Sequence, residues 1–191
     1  MSISTYKTLN TYINRILRCP ESNPKQYSRI DKELINGSSI DVRIGRVIHR
    51  EDSIGTRVVD LAAKESPPMT RFELDWDEQF TLAPQEFILA QTVEEFYLPT
   101  HLSAEFRLKS SPARSGLDQA LAVWCDPGWT GSVLTLELRN NLRYNHLSLT
   151  VGMKIGQIVF HEGEAVPDHA SYATRGQYNG DKEATENKGV R

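Results

Sequence analysis

From residue 39 to residue 161 the sequence is a succession of short apolar segments separated by turn residues. The segments are rich in β-branched and aromatic residues, and Gly, Pro, Asn and Asp stand between them. They read SIDVRIGRVIH, RFELDW, QEFILA, SAEFRL, SVLTLEL, LSLTVG and GQIVFH. Many short strands joined by turns are typical of closed or sandwiched β architectures. The pattern predicts a mainly β fold, with AAKESPPMTR as a loop.

The N-terminal segment predicts one short helix over residues 4–18. Ser4 or Thr5 can cap it, and proline-containing CPESNP ends it because proline does not continue a helix. Its apolar residues then share one face: Tyr6, Leu9, Ile13, Ile16 and Leu17. A chain of 191 residues is long enough for one well-buried domain, which we expect over residues 1–167.

The last segment, residues 168–191, differs from the rest of the chain. It is polar, contains glycine and is nearly devoid of aliphatic residues. Such a segment is either a frayed terminus or a flexible lid that orders over a ligand. Tyr172 and Tyr178 favour a lid, because solvating tails rarely hold aromatic residues.

Charge and motifs exclude several classes of function. The net charge of -3 argues against a dedicated nucleic-acid or membrane-surface binder. Cys19 and Cys125 cannot build a disulfide framework, and no apolar run has the length of a signal peptide or spanning helix, so we expect a cytoplasmic protein. H-E-x-x-H, C-x-x-C, G-x-S-x-G and phosphate-loop motifs are absent, so we expect neither zinc nor other metal ligands, and no acyl-transfer triad.

Glu137 is a carboxylate inside the apolar segment SVLTLEL. By alternation Val133 and Thr135 share its face of the strand, while the leucines share the other face. Glutamate is depleted in strand interiors, and an unpaired buried carboxylate is unfavourable by several kcal/mol. Glu137 therefore either faces water or points into a polar pocket as an acid or base.

The segment KSSPAR supplies hydroxyls, amides and two cations within six positions. Pro112 fits the opening of a helical turn after Ser111, which would leave amides pointing outward. Amides with Lys109 and Arg114 suit a phosphate group, whereas the plain alternative is a surface turn with a serine cap. The nearby DPGW is a turn signal and by itself predicts only a connection between strands.

At these residues the chain resembles the deoxycytidine triphosphate deaminases of the dUTPase superfamily. INGSSIDVRIG is similar to their S-x-D-x-R-x-G segment, and FILAQTVEEFYLP to L-A-x-T-x-E-x-x-x-L-P. KSSPARSGL is similar to R-S-S-x-A-R-x-G-L, DPGWTGSVLTLELRN to D-P-G-W-x-G-x-x-x-L-E-x-x-N, and LTVGMKIGQIVF to L-x-P-G-M-x-I-G-Q-x-x-F. The order of the five motifs is specific for the superfamily, and the strand that bears Glu137 favours the deaminase branch.

The resemblance implies a distorted β-barrel of the dUTPase-like or jelly-roll type that forms a homotrimer with sites between subunits. It implies zinc-independent deamination of dCTP to dUTP and ammonia, with Glu137 as the proton shuttle. Ser110 would help to hold the water or base, and Arg114 would approach Glu137 across a subunit boundary. Magnesium would be carried by the triphosphate.

The resemblance also implies substrate-binding residues along the chain. Lys109 and Ser111 match triphosphate-binding positions within the Lys109–Arg114 motif. Asp126 lies close to the deoxyribose in the family, and Trp129 would form a wall of the sugar site. The remaining implied contacts, to the base or phosphates, are Ser110, Pro112, Ala113, Thr135, Leu136, Gln157, Tyr172, Gln177, Tyr178 and Asp181.

Departures from the family pattern affect base recognition. Lys109 replaces an arginine and keeps its charge but loses the planar fork. Trp124 and Cys125 stand where the family has polar residues, and Gln177 and Asp181 replace a lysine and a glutamine of the tail. An acceptor at Asp181 would suit an exocyclic amino group or a modified cytosine.

Two other functions stay open. DPGWTG also overlays the dUTPase D-x-x-Y-x-G turn, in which the aspartate orients an attacking water, so dUTP hydrolysis to dUMP, alone or after deamination, is the first alternative. The tail lacks the phosphate lid of those enzymes, with its arginine and glycines. A non-catalytic, nucleotide-binding trimer is the second alternative.

Overall fold

The computed structural model describes residues 2–53, 55, 57–120 and 122–189. The helices are short: α1 (Tyr6–Ile16), α2 (Ser110–Arg114) and α3 (Tyr172–Arg175), with 3-10 turns at Lys32–Leu34 and Asp168–Ala170. The strands, in chain order, are β1 (Ser2–Ile3), β2 (Leu17–Arg18), β3 (Ile40–Arg43), β4 (Val47–Glu51), β5 (Met69–Glu73), β6 (Gln79–Leu82), β7 (Phe87–Tyr97), β8 (Leu102–Leu108), β9 (Leu117–Gln119), β10 (Trp124–Cys125), β11 (Thr130–Asn140), β12 (Leu147–Thr150) and β13 (Lys154–Glu162). The predicted mainly β fold is confirmed.

The strands form three antiparallel sheets. One sheet has the order β1-β13-β8-β10, with β3 also paired to β13, and the second has the order β5-β4-β7-β11-β9, with β2 paired to β7. β12 and β6 form a separate pair. The two large sheets contribute to one apolar core, in which Phe96 of β7, Phe106 of β8 and Phe160 of β13 are fully buried.

The long strand β11 positions the predicted carboxylate. It pairs with β7 over most of its length and with β9 at its end, where Leu138 lies opposite Gln119. Leu136 and Leu138 are fully buried on one face, and Val133 and Thr135 lie with Glu137 along the wall of a cavity on the other. The predicted alternation is therefore present in the strand.

An irregularity in β7 interrupts its pairing with β11. Val133 is opposite Glu95, but Thr135 is opposite Gln91, so β7 holds the extra residues. The buried Thr92 hydroxyl accepts from the Leu134 amide at 3.0 Å and donates to the Glu94 carbonyl at 2.7 Å. A side chain thus replaces a backbone partner where the strands part.

The N-terminal helix is shorter than predicted, with one residue misplaced. It runs over Tyr6–Ile16, and Thr5 is at the N-cap position without a side-chain hydrogen bond. Tyr6 was predicted on the buried face but is 51% exposed. Leu17 is buried as expected, yet it pairs with β7 as part of β2 rather than ending the helix.

The C-terminal segment packs against its own chain beside β11. The Trp129 indole N–H donates to the Tyr178 carbonyl at 2.8 Å, and the Val133 amide donates to the Asp181 carbonyl at 2.9 Å. Ala184 is 1% exposed. Val190 and Arg191 of the predicted tail lie outside the described residues, and the division into a domain and a lid at residue 168 stays a prediction. Among the described residues, we find no helix with the length and apolar character needed to span a membrane.

Candidate active site

Glu137 lies beside a cavity of about 450 Å³. The walls of this Glu137 cavity are largely apolar and aromatic, with Trp124, Trp129, Tyr172 and Tyr178 among them. Of the predicted site residues, it brings together the following: Asp126, Trp129, Thr135, Glu137, Tyr172, Tyr178 and Asp181. A concave apolar site with a few polar groups is the usual form of a small-molecule site.

The Glu137 carboxylate is held at one oxygen. The Gln119 side-chain amide and the Ala122 backbone amide both donate to Oε2, each at 3.3 Å. No described residue donates to Oε1, and no described basic side chain lies within ion-pair distance. Burial raises the pKa of Glu137 to about 7 from its ordinary 4.5, and the Ala122 hydrogen bond opposes that rise. A carboxyl group with this pKa can both accept and release a proton near neutral pH.

The turn DPGW contributes two walls to the cavity. Asp126 accepts a hydrogen bond from the Trp124 indole at 3.0 Å. Trp129 is 5% exposed, and its ring stacks on Phe96 at 5.1 Å between centroids. Cys125 is buried, which raises its thiol pKa to about 12, so this cysteine is not a thiolate at neutral pH.

The C-terminal segment closes another side of the cavity. The Thr185 amide donates to the Thr135 hydroxyl at 3.3 Å, and Lys188 Nζ lies 2.6 Å from Asp181 Oδ2. Burial is the main cause of the raised pKa of Tyr172. Thr185 and Glu186 also line the cavity, and sequence reasoning did not single them out.

The motif KSSPAR lies apart from Glu137 within one chain. None of Lys109, Ser110, Ser111, Pro112, Ala113 and Arg114 is among the described residues that line the cavity. Ser110, Ser111 and Arg114 are exposed on α2. This helix begins at Ser110 and not after Ser111 as predicted. Pro112 is its third residue, where a backbone amide has no hydrogen-bond partner within the helix, so proline is tolerated there.

Lys109 belongs to a second polar cluster, on β3 and β13. Its Nζ is 2.7 Å from Asp41 Oδ1, and Lys154 Nζ is 3.3 Å from Asp41 Oδ2. Burial alone would raise the pKa of Asp41, but hydrogen bonds from Lys109 and Asn36 outweigh it and hold the pKa below its ordinary value. Gln157 is on β13, and its Oε1 accepts from the Ser39 hydroxyl at 2.8 Å.

Three other predicted residues stand outside the cavity wall. Gln157 and Gln177 are not among the described lining residues, and the Gln177 amide donates to the Gly189 carbonyl at 3.2 Å. Leu136 is fully buried on the opposite face of β11. Their roles in binding stay predictions.

Comparison with known proteins gives the family of the chain. The family model described as dCTP deaminase-like matches residues 14–163. The chain belongs to this family. Among its relatives, proteins named "dCTP deaminase, dUMP-forming" from Beutenbergia cavernae and Acidothermus cellulolyticus are 38% and 40% identical. The first alignment covers 81% of each chain, and the second covers 73% of this chain and 72% of the relative.

Two solved structures show the same fold. The 2'-deoxycytidine 5'-triphosphate deaminase from Agrobacterium tumefaciens has a TM-score of 0.61 at 18% identity, over 88% of this chain and 50% of that one. This chain therefore matches half the length of that protein. The dUTPase from Streptococcus mutans has a TM-score of 0.52 at 12% identity, over 80% of this chain and 99% of that one. The predicted family and the dUTPase-like fold are confirmed.

Proposed function

We propose that this chain catalyses the hydrolytic deamination of dCTP, with Glu137 as the group that moves protons. The observation that carries the proposal is a carboxyl group with a pKa of about 7 and one unbonded oxygen beside an aromatic cavity. Its relatives are named as enzymes acting on dCTP. A non-catalytic binding module would not need a carboxyl group that changes its protonation state near neutral pH.

The chemistry follows from the two protonation states of Glu137. Ionised Glu137 accepts a proton from a water molecule as the water oxygen bonds to the cytosine carbon that bears the amino group, and it passes this proton to the adjacent ring nitrogen. Ionised again, Glu137 takes the proton of the new hydroxyl group and gives it to the amino group as the carbon–nitrogen bond breaks and the carbonyl group forms. Ammonia and a uracil ring are the products, and Glu137 is again ionised.

The nucleotide product that we propose is dUMP. The sequence predicts dUTP as the product, whereas the relatives named above are dUMP-forming, so the bifunctional alternative fits them better. After deamination, a second water would hydrolyse dUTP to dUMP and pyrophosphate. Asp126 lines the same cavity and is held by the Trp124 indole, so we assign it to orienting that water.

We also propose a homotrimer in which the motif Lys109–Arg114 of one subunit completes the Glu137 cavity of another. The support is that the motif is exposed and lies apart from the cavity in one chain, although it holds the cations that a triphosphate needs. A homo-oligomer repeats one such interface around its axis. Arg114 would then supply the positive charge that Glu137 lacks.

Magnesium would be held mainly by the substrate. The described residues contain no group of three or more His, Cys, Asp or Glu side chains arranged to bind a metal ion. A hard cation that keeps several waters suits the triphosphate oxygens, with Asp126 as a candidate carboxylate in the cavity. It would neutralise phosphate charge there.

The test is incubation with dCTP and, separately, dUTP in the presence of magnesium, with ammonia and pyrophosphate followed independently. Both products from dCTP, and pyrophosphate from dUTP, support the bifunctional enzyme. Ammonia without pyrophosphate restricts the activity to dUTP formation. Binding of dCTP without either product would show a nucleotide-binding module and contradict the proposal.

Subunit complementation tests the shared site. Inactive Glu137→Gln and Arg114→Gln proteins are unfolded together and refolded as mixed oligomers. If one subunit supplies Glu137 and another supplies Arg114, about a quarter of the sites are intact after random assembly at equal amounts. Recovery of roughly that share of activity is expected, whereas no recovery would place both residues in a site made by one chain.

A further inference from the structure

We propose that Gln119 is a positioning residue that fixes the Glu137 carboxyl group for proton transfer. The inference rests on the proposed deamination and adds a residue that neither the motifs nor the resemblance points to. Gln119 is the last residue of β9, and its neighbour across the ladder is Leu138, next to Glu137.

The contact leaves the two oxygens of Glu137 in different states. Gln119 Nε2 and the Ala122 amide both reach Oε2, so that oxygen is occupied by two donors. Oε1 has no donor among the described residues and therefore is the atom open to a water or to the substrate amino group. A carboxylate held at one oxygen in this way has a fixed orientation at the other.

The other end of the Gln119 amide is an unused acceptor. Gln119 is 8% exposed, and its Oε1 is buried without a hydrogen-bond partner among the described groups. A side-chain amide has a donor and an acceptor, and a half-turn of its plane exchanges them. Gln119 can thus donate to Glu137 when it is ionised and accept from it when it is protonated. A proton shuttle passes through both states, and the Gln119 amide can serve both.

Among the described residues, Gln119 supplies the side-chain hydrogen bond to Glu137 and Ala122 the backbone one. The Gln119 contact comes from β9 and the Ala122 contact from the segment that follows it. The other titratable or charged described groups on the cavity wall belong to β10, the turn after it and the C-terminal segment: Cys125, Asp126, Tyr172, Tyr178, Asp181 and Glu186. Behind them, Lys188 is the ion-pair partner of Asp181, and His49 Nδ1 lies 3.5 Å from Glu186 Oε1.

The decisive variant is Gln119→Met, which keeps the length of the side chain and removes both polar atoms. We expect kcat for ammonia release to fall about tenfold, because a hydrogen bond to a charged group is lost. The KM for dCTP should stay within about threefold, since Gln119 is not among the described residues that line the cavity. Without the Gln119 donor, the ionised form of Glu137 is less stable and the pKa of Glu137 rises. The acidic limb of the kcat–pH profile should therefore move to higher pH.

Two matched variants separate positioning from folding. Gln79→Met makes the same change at an exposed residue of β6 and should alter neither kcat nor the pH profile. Gln119→Asn keeps the amide but shortens its reach, so kcat should lie between parent and Gln119→Met. If Gln119→Met does not fold, Gln119→Asn tests by itself whether Gln119 positions Glu137. A ¹³C titration of the Glu137 carboxyl carbon, identified by its loss in Glu137→Gln, should show the same upward shift in pKa.

Unchanged kcat and an unchanged acidic limb in folded Gln119→Met or Gln119→Asn would overturn the inference while leaving the deaminase intact. A fall in kcat without movement of the pH limb or of the carboxyl titration would show a purely structural role and also overturn it. Absence of ammonia release by the parent protein would instead be a failure of the proposed function.

Discussion

Two glutamates on neighbouring strands of one sheet have opposite surroundings. The Glu94 side chain, on β7, is 0% exposed, and Arg43 donates to both of its oxygens, from the backbone amide at 2.9 Å and from Nε at 2.7 Å. Glu137, on β11, has two neutral donors on one oxygen and no described cation beside it. Within one chain, the carboxylate that we assign to structure is thus paired with a cation, and the one that we assign to chemistry has no described cation beside it.

The paired site also anchors the N-terminal region. Arg43 Nη1 donates to the Gln26 carbonyl at 2.9 Å, and its guanidinium lies 5.4 Å from the Tyr27 ring centroid. Glu94 therefore pairs with a residue, Arg43, that also contacts the N-terminal region, whereas Glu137 faces a cavity. The difference predicts that one glutamate is needed for stability and the other for turnover.

The largest expected effect is on catalysis. Glu137→Gln should lower ammonia release from dCTP by about 10³-fold or more, because general acid–base catalysis is lost. Affinity for dCTP should change by less than about tenfold, since the phosphates and sugar keep their contacts. Ammonia assays and equilibrium binding measure the two quantities. Release at near the parent rate would show that Glu137 is not the shuttle.

The next effect is on stability. Glu94→Gln should lower the free energy of unfolding by about 3–5 kcal/mol, because Arg43 is left buried without its counter-charge. Urea unfolding followed by fluorescence measures this loss. The double variant Arg43→Met, Glu94→Met is the control and should lose less than Glu94→Gln alone if the unpaired charge is the cause. An equal or greater loss would assign the effect to packing.

A pH series sharpens the contrast. The folded-state pKa of Glu137, about 7, lies above its ordinary 4.5, so between these values the folded protein keeps a proton that the unfolded chain has lost. Stability conferred by the protonated group is present below pH 4.5 and is lost as pH rises to about 7. The parent should therefore lose stability relative to Glu137→Gln over this window. A constant difference between their melting temperatures across it would contradict the raised pKa.

The smallest effect concerns the closing segment. Trp129→Phe removes the indole donor to the Tyr178 carbonyl, and we expect a loss of about 1 kcal/mol in docking of that segment. Hydrogen exchange of the amides from residue 178 to residue 185 should become faster, with little change near Arg43. Trp76→Phe, at the stack with Tyr27, is the matched control. Equal exchange rates in parent and Trp129→Phe would show that the contact does not hold the segment.

The mainly β character of the chain and the face of β11 were open to prediction because both depend on local pattern. Alternation along SVLTLEL places Val133, Thr135 and Glu137 together whatever the partner strand is. The motif resemblance then indicated the family and the fold. Tyr6 was misplaced because the width of the buried face of a surface helix depends on which of its residues the rest of the chain covers.

The Gln119 contact could not be predicted from local pattern. It depends on the register between β9 and β11, which are separated in the sequence by β10 and the DPGW turn. A glutamine in a short strand gave no signal of its own. The separation of KSSPAR from the cavity is likewise a property of the three-dimensional arrangement, and the predicted meeting of Arg114 with Glu137 involves a second chain.

The hydroxyl of Thr92 restricts how this sequence can drift over evolutionary time. This hydroxyl takes the place of a carbonyl opposite Leu134. Valine has nearly the same shape, but it would leave the Leu134 amide and the Glu94 carbonyl buried without this hydrogen-bond partner. Natural descendants should therefore retain threonine or serine here even where their neighbours are freely replaced. This position is thus a better marker of common ancestry than the apolar residues around it.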